Sequence, residues 1–214
     1  MIDPGYFITF EGGEGAGKST QIRLLAETLR AAGHEVVVTR EPGGTPLAEA
    51  IRGLLLNAGD PPDAMTQALL FAAARHDHVT RVIRPAMRAG QIVLCDRFTD
   101  STRAYQGEAV AEDALEATIL LGTAGLVPDL TLLLDLSPEA GLGRARQRGA
   151  AGDAFERADA TYHTRVRERF LALARREPDR ILVVEADRPP EVVAASIRAL
   201  VEAHSAIDLA GAGA

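Results

Sequence analysis

Phe7-Ile8-Thr9-Phe10-Glu11-Gly12-Gly13-Glu14-Gly15-Ala16-Gly17-Lys18-Ser19-Thr20 decides how this chain is read. A short apolar run, the length of a buried strand, passes into a glycine-rich turn and then into a helical pattern. Gly12, Gly17, Lys18 and Ser19 stand at the spacing G-x-x-x-x-G-K-[ST] of a phosphate-binding loop. Glycines permit positive φ and close approach of the main chain, so successive N–H groups point at one anion. The helix that follows adds the positive end of its dipole. Lys18 then brings an ammonium to the β- and γ-phosphates of a nucleotide, and the Ser19 hydroxyl suits Mg²⁺. The bland alternative is a glycine-rich turn that binds nothing. Against it, Lys18 is the only lysine in a chain whose other basic side chains are arginine. Lysine is kept where a compact ammonium fits and a planar fork does not.

The 214 residues suit one α/β domain, here 1–204, with a small insertion. A net charge of −7 argues against a general nucleic-acid binder, which needs a broad basic face. A small anion can still be held by a local basic site. Cys95 is the single cysteine, so no intrachain disulfide is expected, which fits a reducing cytoplasm. The N-terminus does not read as a signal peptide, and no stretch approaches the ~18 apolar residues of a membrane span.

Outward from the loop, apolar runs alternate with helical patterns. Strands are expected at 6–11, 34–40, 91–95, 130–136 and 180–185. Helices are expected at 20–32, 47–56, from about 62 to 87 with a bend near Pro85, and at 111–126, 139–148, 153–177 and 191–204. Residues 99–106 read as a polar loop or short helix, and 205–214 as a frayed tail. Leu47, Ile51, Leu54 and Leu55 are the expected inward face of their helix. The alternation predicts a parallel sheet with right-handed crossovers and helices on both faces. Ligands on such sheets lie at the carboxyl ends of the strands. There the sequence puts Glu11, Arg40-Glu41 and Asp96-Arg97.

Further groups carry chemistry. Asp96-Arg97-Phe98 could place an acceptor for a Mg²⁺-bound water beside a phosphate clamp, or be a structural ion pair. Phe71 and Arg75 share a helix face, where a ring can stack on a base and a guanidinium can donate to a carbonyl at its edge. Taken alone, core packing and a solvated charge explain them as well. Arg144, Arg146 and Arg148 precede the glycine-containing break 149–152, with Arg157 beyond it, as in a lid closing over phosphates or a solvated helix face.

Taken together, these stretches resemble the bacterial thymidylate kinase family, from about Tyr6 to His204. The likeness lies in Phe10–Thr20, Thr39-Arg40-Glu41-Pro42-Gly43-Gly44-Thr45, Leu70–Arg75, Asp96-Arg97-Phe98 with Ser101-Thr102 and Ala104-Tyr105-Gln106, Pro128-Asp129-Leu130-Thr131, and Arg144-Ala145-Arg146, in order and spacing. It implies a P-loop NTPase-type three-layer α/β/α fold with a five-stranded parallel sheet and a small arginine-rich lid at about 144–157. It implies ATP, Mg²⁺ and dTMP as ligands, and a homodimer. Gly12, Gly13, Glu14, Gly15, Ala16, Gly17, Lys18, Ser19 and Thr20 would bind the ATP phosphates. Ser19 and Glu11 would lie beside the metal. Lys18, Arg97, Asp96, Arg146 and Arg148 would serve the transfer step. Glu41, Arg52, Phe71, Arg75, Arg97, Ser101, Thr102, Tyr105 and Gln106 would bind dTMP: Phe71 stacked on thymine, Arg75 at its O4 edge, Tyr105 against the ribose 2′ position. Which of Arg144, Arg146, Arg148 and Arg157 reaches the phosphoryl group stays open.

The expected reaction is ATP + dTMP → ADP + dTDP. Another deoxynucleoside or deoxynucleotide kinase is the nearest alternative. A GTP-dependent switch protein would need an Asn-Lys-x-Asp stretch, and the only asparagine, Asn57, is followed by Ala58.

Overall fold

The computed structural model describes residues 5–56, 62–147 and 160–209; for Arg146 and Gln147 it describes the backbone only. Strands β1 (Tyr6–Glu11), β2 (Val36–Arg40), β3 (Ile92–Asp96), β4 (Leu130–Asp135) and β5 (Ile181–Glu185) form one sheet in the order β2-β3-β1-β4-β5. Every pairing is parallel. The expected five-stranded parallel architecture is what the chain adopts. Register sets Phe10 and Arg40 on either side of Asp96, so the strand ends named above meet at one edge of the sheet.

Helices α1 (Lys18–Ala31) and α9 (Pro190–His204) cover one face. Ile22, Leu25, Leu29, Val193 and Ile197 pack there on Ile8, Phe10, Leu94, Leu132 and Leu134. Burying each such side chain contributes about 1.5–3 kcal/mol. The opposite face takes α4 (Arg84–Arg88), α5 (Thr99–Gln106) and α8 (Ala160–Arg176). Phe7 and Phe98 meet edge to face there at 5.0 Å, and Leu133 and Ile181 pack on Val166 and Phe170. Helices α2 (Pro46–Leu56), α3 (Ala64–His78), α6 (Glu112–Thr123) and α7 (Pro138–Gln147) complete the chain.

The structure departs from the sequence reading in several places. On α2, Leu47 and Leu54 are exposed, and Ala48, Ile51 and Leu55 face inward. The buried stripe is turned because α3 packs on α2 through alanines, Ala48 against Ala74. The expected bend near Pro85 is a π-helical segment, Val79–Ile83, directly before it. Proline lacks an N–H and clashes with the carbonyl four residues back, and a widened turn relieves both. Residues 99–106 are no departure: they form the short helix that is one of the two expected forms. Ile207 and Leu209 pack against the main core, so the start of the tail is fixed. The turn expected at 59–62 lies largely outside the described residues, as do Arg148, Arg157 and the loop between them.

Candidate active site

The loop between β1 and α1 owes its course to its glycines. Gly12 has φ 137°, and a Cβ there would lie 2.5 Å from the Leu134 carbonyl oxygen. At Gly15 (φ 69°) a Cβ would collide with the Gly141 carbonyl. Gly17 precedes α1 in left-handed backbone, with no side chain capping the helix and no acid in its first turn. The N–H groups there are left for an external anion.

Lys18 lies at the centre of the loop, buried, with Nζ donating to the carbonyls of Gly12 and Gly13 at 3.1 Å each. Burial, helped by Arg97, lowers its pKa, while Asp96, Glu14 and Glu11 oppose the shift. Next to it the Ser19 hydroxyl donates to Asp96 Oδ2 at 2.9 Å. Arg97 follows Asp96 with φ 70°, an uncommon backbone conformation for a side-chain-bearing residue. Its Nη1 donates to Gly12 O and Ser101 Oγ, and its Nη2 to Glu14 Oε1 at 2.6 Å. The guanidinium lies 5.2 Å from the Tyr105 ring centroid, and the Tyr105 hydroxyl donates to Glu14. Burial works to raise the Glu14 pKa, but Arg97, then Lys18 and the Tyr105 hydroxyl, bring it down to about 2.

A cleft of about 440 Å³ opens in front of these groups. Glu14–Thr20, Asp96, Arg97, Ser101, Thr102, Tyr105 and Gln106 line it, together with Glu41, Arg52, Phe71 and Arg75. It thus joins most of the residues singled out from sequence. Gly12 and Gly13 contribute carbonyls behind it. Arg52 donates to Pro42 O at 3.0 Å. Arg75, read alone as a solvated charge, is buried and donates to Glu41 Oε2 at 2.7 Å and Phe98 O at 3.0 Å. Arg146 and Arg148 cannot be placed: the side chain of the first and the whole of the second lie outside the described residues. Arg144 points away from the cleft, to Ala186 O and Asp187.

Glu11 needs a different role from the one at the metal. It is fully buried, and its Oε1 accepts from Phe98 N–H and Ser101 N–H, its Oε2 from the Ser101 hydroxyl. It caps the start of α5, the helix that carries Ser101, Thr102, Tyr105 and Gln106. Asp100, paired with Arg180 at 2.8 Å, anchors the same turn. Burial, aided by Asp100, raises the Glu11 pKa to about 7. A raised carboxyl pKa favours folding most below pH 4.5, and that advantage is lost as pH rises to 7 and beyond. Glu11→Gln should therefore flatten the pH dependence of stability by up to about 3 kcal/mol between pH 5 and pH 8. Thermal melts at both pH values check this; equal slopes in the two proteins would refute it.

A second cavity of about 540 Å³ lies beyond Gly15–Thr20, walled by Arg144, Ala186, Asp187 and Pro189. The sequence reading named Arg144 only as a lid candidate and missed Ala186, Asp187 and Pro189. The rule that ligands sit at carboxyl ends of parallel strands, applied to β5, points to them.

The comparisons agree. The model of the thymidylate kinase family matches residues 10–197. The thymidylate kinase of Caulobacter vibrioides is 57% identical over 199 residues, covering 90% of this chain and 94% of that protein. That of Magnetococcus marinus is 50% identical over 196 residues, covering 90% and 93%. The crystal structure of thymidylate kinase from Ehrlichia chaffeensis superposes with a TM-score of 0.76 at 32% identity, covering 92% of this chain and 98% of that one. Likeness over nine-tenths of the length, in sequence and in fold, means that this chain belongs to the thymidylate kinase family.

Proposed function

We propose that the protein transfers the γ-phosphoryl group of ATP to the phosphate of dTMP, giving ADP and dTDP. The observation that carries this is the shared cleft: the glycine-rich loop with Lys18, together with Arg97, Phe71 and Arg75, lines one cavity. The acceptor is a phosphate monoester whose second pKa is about 6, so at neutral pH its oxygen is already a nucleophile and no general base is required. Catalysis is then positioning plus charge neutralisation. Lys18 and the loop N–H groups take the donor phosphates, and Arg97 with Arg52 the acceptor phosphate. Phe71 stacks on the base, Arg75 donates to its O4 edge, Thr102 and Gln106 lie near it, and Tyr105 crowds the sugar 2′ position. The second cavity suits the adenine end of the donor.

The residues present also suit Mg²⁺. Ser19 and Asp96 are hard oxygen donors at the cleft, and among the described residues there is no group of three or more His, Cys, Asp or Glu that could hold a metal alone. Mg²⁺ typically takes one or two protein oxygens and completes its shell with water and phosphates. Bound there, it would neutralise charge on the transferring phosphates. A homodimer is the assembly the resemblance implies, and exposed Leu54, Leu69, Leu120 and Leu121 on α2, α3 and α6 are what such an interface would cover. No helix among the described residues is long and apolar enough to cross a membrane. The buried single cysteine suits the reducing cytoplasm.

A coupled ADP-release assay across the nucleoside monophosphates, with thymidine alongside, tests the assignment. ADP should form with dTMP. Turnover of thymidine in place of dTMP, or of neither, would overturn it.

A further inference from the structure

Buried behind Arg75 is a polar relay that the reaction as described does not use. The Arg75 side chain donates from Nε to Glu41 Oε2 at 2.7 Å and from Nη2 to Phe98 O at 3.0 Å. Glu41 Oε1 lies 3.0 Å from Nδ1 of His78, and His78 Nε2 lies 2.6 Å from Thr39 Oγ1. Glu41 is 4% exposed at its side chain and His78 not at all. Both ring nitrogens are matched in one tautomer: Nδ1–H donates to the carboxylate, and Nε2 accepts from the Thr39 hydroxyl.

The ring is also fixed sterically. A Cβ at Gly44 would lie 2.5 Å from Cδ2 and Nε2 of His78, so the turn Pro42-Gly43-Gly44 is built against the imidazole. Beside it, Thr45 Oγ1 donates to Asp77 Oδ2 at 2.6 Å, tying the same turn to the last turn of α3. The π-helical segment starts directly after His78. Such widened turns recur at functional sites.

We propose that His78 is a specificity-determining positioning residue: its imidazole fixes the Glu41 carboxylate, which holds the Arg75 guanidinium where it accepts a carbonyl-edged pyrimidine and rejects an amino-edged one. This rests on the reading that Arg75 meets the base edge. With Nε and Nη2 committed to protein acceptors, the direction of the remaining donors is set by the relay. Without the imidazole donor, Glu41 Oε1 would be a buried carboxylate oxygen with an unmet bond, and Glu41 would turn to find one. Arg75 would then lose its fixed direction, and with it the difference between a carbonyl acceptor and an amino donor.

The test is steady-state kinetics with dTMP and dCMP. His78→Phe keeps the ring and removes the donor. It should lower the dTMP:dCMP ratio of kcat/KM by about tenfold or more and raise the KM for dTMP, while kcat at saturating dTMP and the KM for ATP change less than about twofold. His78→Asn returns an N–H near the Nδ1 position and should restore the ratio to within about threefold. Thr39→Val, at a half-buried strand position, covers the case in which His78→Phe does not fold. It frees the tautomer and should lower the ratio about threefold. Equal losses on both substrates, with the ratio unchanged, mean a merely structural role and overturn the proposal. Arg75→Met separates the levels. If it collapses the ratio and the His78 and Thr39 variants do not, the relay alone is wrong. If it leaves the ratio intact, the base-edge reading falls and the relay with it.

Discussion

Replacing Lys18 with methionine should lower kcat for dTMP phosphorylation by about a thousandfold or more, with no loss of thermal stability. Among the described residues, Lys18 Nζ donates to two main-chain carbonyls, Gly12 O and Gly13 O, at 3.1 Å. It is the chain's one lysine, and it lines the cleft to which the proposed reading assigns the donor phosphates. Removing it takes away a positive charge that would meet the oxygens gathering charge in the transition state. The same change relieves the folded protein. The ammonium is buried, and both its burial and Arg97 lower its pKa, so its charge is disfavoured where it stands. Methionine fills similar space without that cost, so the melting temperature should hold or rise, the usual trade at a functional site. The check is kcat beside the melting curve. A variant that retains activity would remove Lys18 from the chemistry, and one that is inactive because it is unfolded would show that the ammonium was structural.

The parts of this site that can be read in the sequence are those set by local geometry. The loop spacing at Gly12–Ser19 fixes its own conformation, and parallel strands with charged carboxyl ends must gather Arg40, Asp96 and Arg97 at one edge. What stays hidden depends on partners far along the chain. Glu11 reads as a metal-side acid, because nothing near it in sequence shows that two N–H groups and a hydroxyl about 90 residues later claim its oxygens. Arg75 reads as a solvated charge, because Glu41 lies 34 residues away. The leucines of α2 mislead for another reason. Periodicity weights large side chains, but α2, α3 and α6 approach through small ones: Ala48, Ala68, Ala72 and Ala74 are buried, Leu69 is exposed, and a Cβ at Gly122 would lie 3.0 Å from Ala72 Cα. Close backbone approach needs residues that hydrophobicity alone ranks low.

Arg97→Met should cost kcat about a thousandfold or more as well, but unlike the lysine variant it should cost stability. The Arg97 guanidinium is paired with an anion of the protein's own, Glu14, at 2.6 Å. On the proposed reading an incoming dianionic phosphate would displace that carboxylate from the guanidinium. Without Arg97, Glu14 keeps the Tyr105 hydroxyl and the weaker fields of Lys18 and His163, and its pKa of about 2 must climb toward the ordinary carboxylate range. The sign follows. A depressed carboxyl pKa stabilises the fold above the unfolded value of 4.5, and that stabilisation disappears as pH falls toward 2. Arg97→Met should therefore melt lower than the parent at pH 7, with the gap closing as pH falls to 3. Glu14→Gln added to Arg97→Met should recover part of the loss by removing a carboxylate that has no cation left. If the single variant melts like the parent at pH 7, the pair is not stabilising. If its kcat survives, the arginine is not the clamp on the acceptor phosphate, and the cleft must neutralise the transferring group with the arginines that follow α7.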